Sequence, residues 1–157
     1  MINQKQNIQI LLETMTKCSG NCSGCALSSI ERMETTFDYD HFLKNSILVK
    51  NKLNQFNPSD IEAVTVFLGQ GDHFLMPEEN IEGFIKNCAD MIPNDFKNKT
   101  VVFITASAIG KEDIIRKKMD LFYNYSIKYN IPFFIQTVFD PKKIKITKKF
   151  KDIYLRN

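Results

Sequence analysis

The chain predicts an α/β fold built on a parallel sheet, and three observations carry that expectation. Short apolar runs rich in β-branched residues alternate with longer segments of helical period. One of the runs, "IEAVTVFLG" from Ile61 to Gly69, is almost continuously apolar, as strands of a buried parallel sheet are. The order reads strand, helix, strand, helix, strand, helix, strand, which right-handed crossovers join into one sheet.

The elements follow in order. "NIQILLETMT", Asn7 to Thr16, reads as the first strand, ending just before Cys18, although its Leu, Met and Glu also suit a helix. The next segment places Phe42, Leu43, Ile47 and Leu53 near helical spacing, and "NPSD" from Asn57 to Asp60 breaks it. Ile61 to Gly69 is the second strand. Pro77, with Glu78 and Glu79 after it, marks a helix start whose first turn carries the acidic residues the helix dipole favours. Lys99 to Ala108 forms the third strand. After Gly110 a helix carries Ile114, Ile115, Met119, Phe122 and Ile127 on roughly one face. Ile131 to Asp140 is the fourth strand, stopped by Pro141. The aromatics of "VVFITA" and "FFIQTVF" are expected in the core. The chain shows no internal repeat and no low-complexity linker.

Composition narrows the classes of function. The 157 residues are 43% hydrophobic and 25% charged, the balance of a single soluble globular domain. The first residues lack a basic segment followed by a long apolar core, and no stretch has the length of a bilayer-spanning helix. The expected setting is the cytoplasm, with no membrane association. There, clustered cysteines more often signal metal or redox chemistry than disulfides. A net charge of +3 is too small to argue for nucleic acid by itself. Residues 1–141 read as the folded domain and 142–157 as a basic tail, with Lys142, Lys143, Lys145, Lys148, Lys149, Lys151 and Arg156. Such a tail binds a phosphate backbone or simply keeps the protein solvated, and no stacking-aromatic pattern accompanies it.

In parallel α/β sheets and barrels, sites form on the loops beyond the carboxyl ends of the strands. The unusual stretches fall there: "KCSGNCSGC" after the first strand, "GQGDHF" after the second, "SAIG" after the third and "FDP" after the fourth. Cys18, Cys22 and Cys25 have the spacing C-x3-C-x2-C, which wraps three thiolates around one side of a compact inorganic centre. Thiolates are the usual protein ligands of iron-sulfur clusters. Four irons held by three thiolates leave one iron for a non-protein ligand.

"CSGNCSGC" after a first strand resembles the signature of the radical S-adenosylmethionine family, and the resemblance runs roughly from Ile8 to Asp140. It implies a partial (β/α) barrel, of which about four strands are present here against the six strand-helix units usual in the family. It implies that Cys18, Cys22 and Cys25 hold three irons of a [4Fe-4S] cluster, with S-adenosylmethionine chelating the fourth. Reductive cleavage of that cofactor would yield a 5′-deoxyadenosyl radical that abstracts hydrogen from a substrate. The family's Gly-Gly-Glu type loop, which contacts the cofactor's amino group, would correspond to Gly69, Gln70, Gly71 and Asp72. Here Gln70 replaces the second glycine, and Asp72 lies one position beyond the usual acid. Gly24 stands where many members carry an aromatic residue. By position alone, Ser107 and Gln136 would meet the cofactor's carboxylate or ribose. A reductant such as a flavodoxin or ferredoxin is implied. The short chain would be a minimal enzyme, part of an enzyme completed by a second chain or a dimer, or a degenerate domain that binds a cluster without catalysis.

The same residues also fit a different class. Cys18, Cys22 and Cys25 with Cys88, His41 or His73 would make a zinc site in a non-catalytic interaction module. Cys88, beside Ile85 and Met91 in a predicted helix, equally reads as a buried, inert thiol. His73 either donates a hydrogen bond or a proton beside the cofactor loop or is a turn histidine without a catalytic role. His41 reads as a surface residue at a helix start.

Overall fold

Among the described residues, four strands and three helices follow one another in the predicted alternation. In a computed structural model, which describes residues 5–12, 14, 39–69, 71–106 and 112–137, these are β1 (Gln6–Leu12), α1 (Tyr39–Leu53), β2 (Ile61–Leu68), α2 (Glu78–Met91), β3 (Thr100–Ala106), α3 (Glu112–Lys128) and β4 (Phe133–Thr137). The strands lie in the order β1-β2-β3-β4, every neighbouring pair parallel. This is an α/β fold of the kind that makes up part of a (β/α) barrel. The far ends of the first, third and fourth predicted runs, together with Cys18, Cys22, Cys25, Gln70, Ser107 and the basic tail, lie outside the described residues.

Alternation along the strands sorts side chains to two faces. Val64, Val66 and Leu68 of β2 and Val102, Ile104 and Ala106 of β3 are buried on one face. They share a core with Phe42 of α1, Phe84 of α2 and Phe122 of α3. Phe84 is its hub, with ring centroids 5.3 Å from Phe42, 6.3 Å from Phe122 and 6.4 Å from Phe133. Burying each such ring contributes about 1.5–3 kcal/mol. The opposite face corrects the expectation that the strand aromatics are all core. Leu11, Phe67, Phe103 and Phe134 pair in register as one row across all four strands. Leu11 and Phe134 are exposed. The rings of Phe67, Phe103 and Phe134 stack at 5.2 and 5.3 Å.

Two helices turn a different face to the core than apolar identity predicts. In α1 the buried positions are Phe42, Ser46, Val49 and Leu53, whereas Ile47 is 60% exposed. Ser46 fits because its hydroxyl donates to the Phe42 carbonyl at 2.7 Å. In α3 the buried positions are Ile115, Lys118 and Phe122, while Ile114 and Ile127 face outward. The packing stripe follows helical geometry at i, i+3 or i+4, and a polar residue on it is accepted when its polar atom finds a partner.

Local chemistry sets the ends. Asn57 caps the turn Pro58–Asp60 by accepting from the Ser59 N–H at 3.2 Å. Pro77 precedes α2, and Ile92 and Pro93 end it. After α3, Asn130 takes a φ of 50°. There the N–H of Asn130 reaches the Ile127 carbonyl, and that of Ile131 the Ser126 carbonyl, at 3.1 and 3.0 Å. That is the six-to-one and five-to-two pattern of a Schellman stop, with asparagine in the left-handed position.

Candidate functional site

The carboxyl ends of all four strands lie at the same end of the sheet because all are parallel. The cysteine loop leaves β1 at that end: β1 stops at Leu12, and Cys18 is four residues beyond Thr14. The Gly69 loop leaves β2 there too. Cys18, Cys22, Cys25, Gln70 and Ser107 lie outside the described residues.

Gly69 has a φ of 67°, the left-handed region where a Cβ is costly, so a glycine suits the abrupt exit from β2. Gly71 is buried. Asp72, the acid expected to meet an ammonium group, is also buried, at 2% exposure. Its carboxylate accepts from the Phe74 N–H at 3.0 Å and so caps the short 3-10 turn His73–Leu75. Gln136 is exposed on β4. It sits in register with Thr105 of β3, on the same face as Phe103 and Phe134 and one step nearer the carboxyl end.

His73 is the most constrained side chain at this end. It is completely buried. Nδ1 lies 2.8 Å from the Thr105 carbonyl and Nε2 lies 2.9 Å from Thr14 Oγ1. A carbonyl only accepts, so Nδ1 carries the proton and donates. In the neutral ring Nε2 then accepts from the Thr14 hydroxyl. Burial lowers the pKa of the ring and keeps it neutral, opposed by the Thr105 carbonyl, the charge of Asp72 and the Gly71 backbone. The ring packs on Phe84 at 5.7 Å. With Nδ1 protonated, the one in-plane lone pair of the ring, on Nε2, is taken by the Thr14 hydroxyl.

The turn that carries His73 is held from a second side. Lys118 of α3 donates its ammonium to the carbonyls of Phe74 and Met76, the latter at 2.5 Å. Burial lowers its pKa, while Glu78, Asp72 and Glu79 raise it. Sequence reading placed only apolar residues on that stripe. The available signal was the position of Lys118, i+3 from Ile115 and i−4 from Phe122.

The other candidates separate. Cys88 is buried in α2 as a free thiol, and burial pushes its pKa well up, away from the thiolate a metal needs. It sits in the core among Phe84, Ile85 and Met91, as the inert reading expected. His41 is exposed in the first turn of α1, as expected. Among the described residues no cluster of three or more His, Cys, Asp or Glu is placed to hold a metal ion. None of their helices is long and apolar enough to cross a membrane. An apolar groove of about 640 Å³ lies between β1 and α1, lined by Ile8, Ile10, Leu48, Val49, Leu53 and Phe56, and none of the candidate site residues lines it.

Among the described residues, the carboxyl end of the sheet carries the Gly69 turn and, on the face of the aromatic row, Thr105 and Gln136 in register. Compared with known protein families, curated proteins and solved structures, the chain matches none, so its chemistry has to be read from its own residues.

Proposed function

We propose that this chain binds a [4Fe-4S] cluster through Cys18, Cys22 and Cys25 and acts as a radical S-adenosylmethionine enzyme on a substrate yet to be found. The observation that carries the reading is a C-x3-C-x2-C stretch directly after the first strand of an all-parallel α/β sheet. Three thiols suit a cluster with one open iron, and two of the three fourth ligands considered for zinc are otherwise engaged, the third, His41, being exposed on α1. Cys88 is in the core, and His73 has spent both nitrogens on Thr14 and Thr105.

When bound, the cluster would supply the electron that cleaves the sulfonium of S-adenosylmethionine. The residues of the chain position and shield. Gly69, in its left-handed conformation, lets backbone come close to a ligand at the end of β2. The carboxylate of Asp72 fixes the turn after it, and Gln70 and Gly71 complete that loop. Gln136, and Ser107 after β3, supply polar groups for a carboxylate or ribose. The stacked row Phe67, Phe103 and Phe134 would offer an apolar floor to a substrate. The reading further implies a reducing, cytoplasmic setting and a flavodoxin- or ferredoxin-like electron donor. A second chain or a dimer would cover the open strand edges of a partial barrel.

The test is anaerobic reconstitution with iron and sulfide, then electron paramagnetic resonance of the reduced protein before and after adding S-adenosylmethionine. A [4Fe-4S] signal that changes on addition is expected. It should be lost in Ala variants of Cys18, Cys22 or Cys25 and kept in Cys88→Ala. Uptake of zinc alone, or a cluster indifferent to the cofactor, would move the protein to the interaction-module class.

A further inference from the structure

We infer that His73 is a positioning residue that fastens the root of the cysteine loop to the sheet, through a hydrogen-bond chain from Thr14 Oγ1 to Nε2 and from Nδ1 to the Thr105 carbonyl. The importance of that root rests on the reading of Cys18, Cys22 and Cys25 given above; the chain itself does not.

The geometry brings three strand exits onto one imidazole. Thr14 follows β1 and is 5% exposed. His73 stands on the turn after β2, and Thr105 is the penultimate residue of β3. β1 and β3 are not neighbours in the sheet, so the imidazole joins strands that have no ladder bonds between them. The ring is itself held rigid. Asp72 caps its turn, the Leu75 and Met76 N–H groups close on the Asp72 and His73 carbonyls at 3.0 and 3.2 Å, and Lys118 grips the Phe74 and Met76 carbonyls. Phe84 covers its face. A neutral histidine matches the two partners: it donates to a group that only accepts and accepts from a hydroxyl that can donate. Both nitrogens are thereby satisfied in a buried place, where an unmatched polar group is costly. The consequence for function is local. Cys18, the first of the three thiols, follows the fixed point at Thr14 by four residues.

The test uses the full chain and does not require a cluster. Amide hydrogen exchange, read by mass spectrometry, would be compared for wild type, Thr14→Val, Thr14→Ser and His73→Gln. Valine keeps the shape and loses the hydroxyl; serine keeps the hydroxyl. Thr14→Val should speed exchange roughly tenfold in the amides around residues 12–18, as loss of one buried hydrogen bond would. Exchange in α2 and β3 should stay unchanged, and Thr14→Ser should restore the wild-type rate. His73→Gln should reproduce the acceleration at residues 12–18. Equal exchange in wild type and Thr14→Val would overturn the inference. So would acceleration by Thr14→Val spread evenly over the molecule, which is the mark of a merely structural hydrogen bond. After reconstitution, Thr14→Val should also surrender iron to a chelator several-fold faster than Thr14→Ser. If wild-type protein takes up no iron and sulfide, the proposed function fails while the exchange result still decides the role of His73.

Discussion

Replacing Lys118 by methionine keeps the aliphatic stem in the buried stripe of α3 and removes only the ammonium. That group donates to the carbonyls of Phe74 and Met76, so the variant leaves two acceptors without their charged donor. Hydrogen bonds to a charged group contribute about 1.5–3 kcal/mol each. Against this stands the desolvation of the ammonium, which the methionine variant no longer bears and which lowers the lysine pKa in the folded chain. The balance is a loss of about 1.5–3 kcal/mol, taking roughly one of the two bonds as offset. For a chain of this size that is a drop in Tm of roughly 3–12 °C. Urea unfolding at pH 7, followed by circular dichroism, measures it directly. The titration adds a second signature. The unfolded lysine, with a pKa of about 10.4, holds a proton that the folded one gives up earlier, so wild-type stability rises with pH between the lowered value and about 10.4. The methionine variant lacks that rise. A variant as stable as wild type at pH 7 would show that the clamp on the His73 turn contributes nothing net, and the reasoning would fail.

Other outcomes follow from the same core. His73 has a lowered pKa in the folded chain, so the unfolded state binds more protons just below pH 6.5. Wild-type stability should therefore fall by up to about 1.4 kcal/mol per unit as pH drops from 6.5 towards the lowered value. His73→Gln, less stable at neutral pH, should lack this slope; parallel slopes in urea unfolding at pH 7.5, 6.5 and 5.5 would reject the neutral buried ring. Phe84→Ala should cost about 3–5 kcal/mol, since it empties the centre shared by Phe42, His73, Phe122 and Phe133. Phe134→Ala, on the half-open row, should cost only about 1 kcal/mol, and equal losses at the two positions would mean that the aromatic face is covered as closely as the helix face.

The alternation of strand and helix, the parallel sheet and the placing of the Gly69 turn beyond a strand end were legible in the chain. They depend on local periodicity and on the handedness of crossovers, which are properties of short stretches. The burial of Cys88 and the exposure of His41 were legible for the same reason: each follows from its neighbours on one helix turn. The resemblance carried by "CSGNCSGC" is likewise a matter of spacing, and its chemistry rests on thiols that only a reconstitution experiment can test.

What only the tertiary structure decided is which polar groups meet. Thr14, His73 and Thr105 are 59 and 32 residues apart in the pairs they form, and no periodicity connects them. Lys118 looks like a break in an apolar stripe until the turn after β2 brings two carbonyls to its ammonium. Ile47 and Ile127 look like core until Ser46 and Lys118 take the buried positions. Phe67, Phe103 and Phe134 look like core until the register lines them up on the face opposite Val64, Val66, Val102 and Ile104, which pack on the described helices. Hydrophobic pattern ranks residues by their own transfer energy. A buried hydrogen bond depends on a partner brought from elsewhere in the chain, so it exists only after the strands have paired.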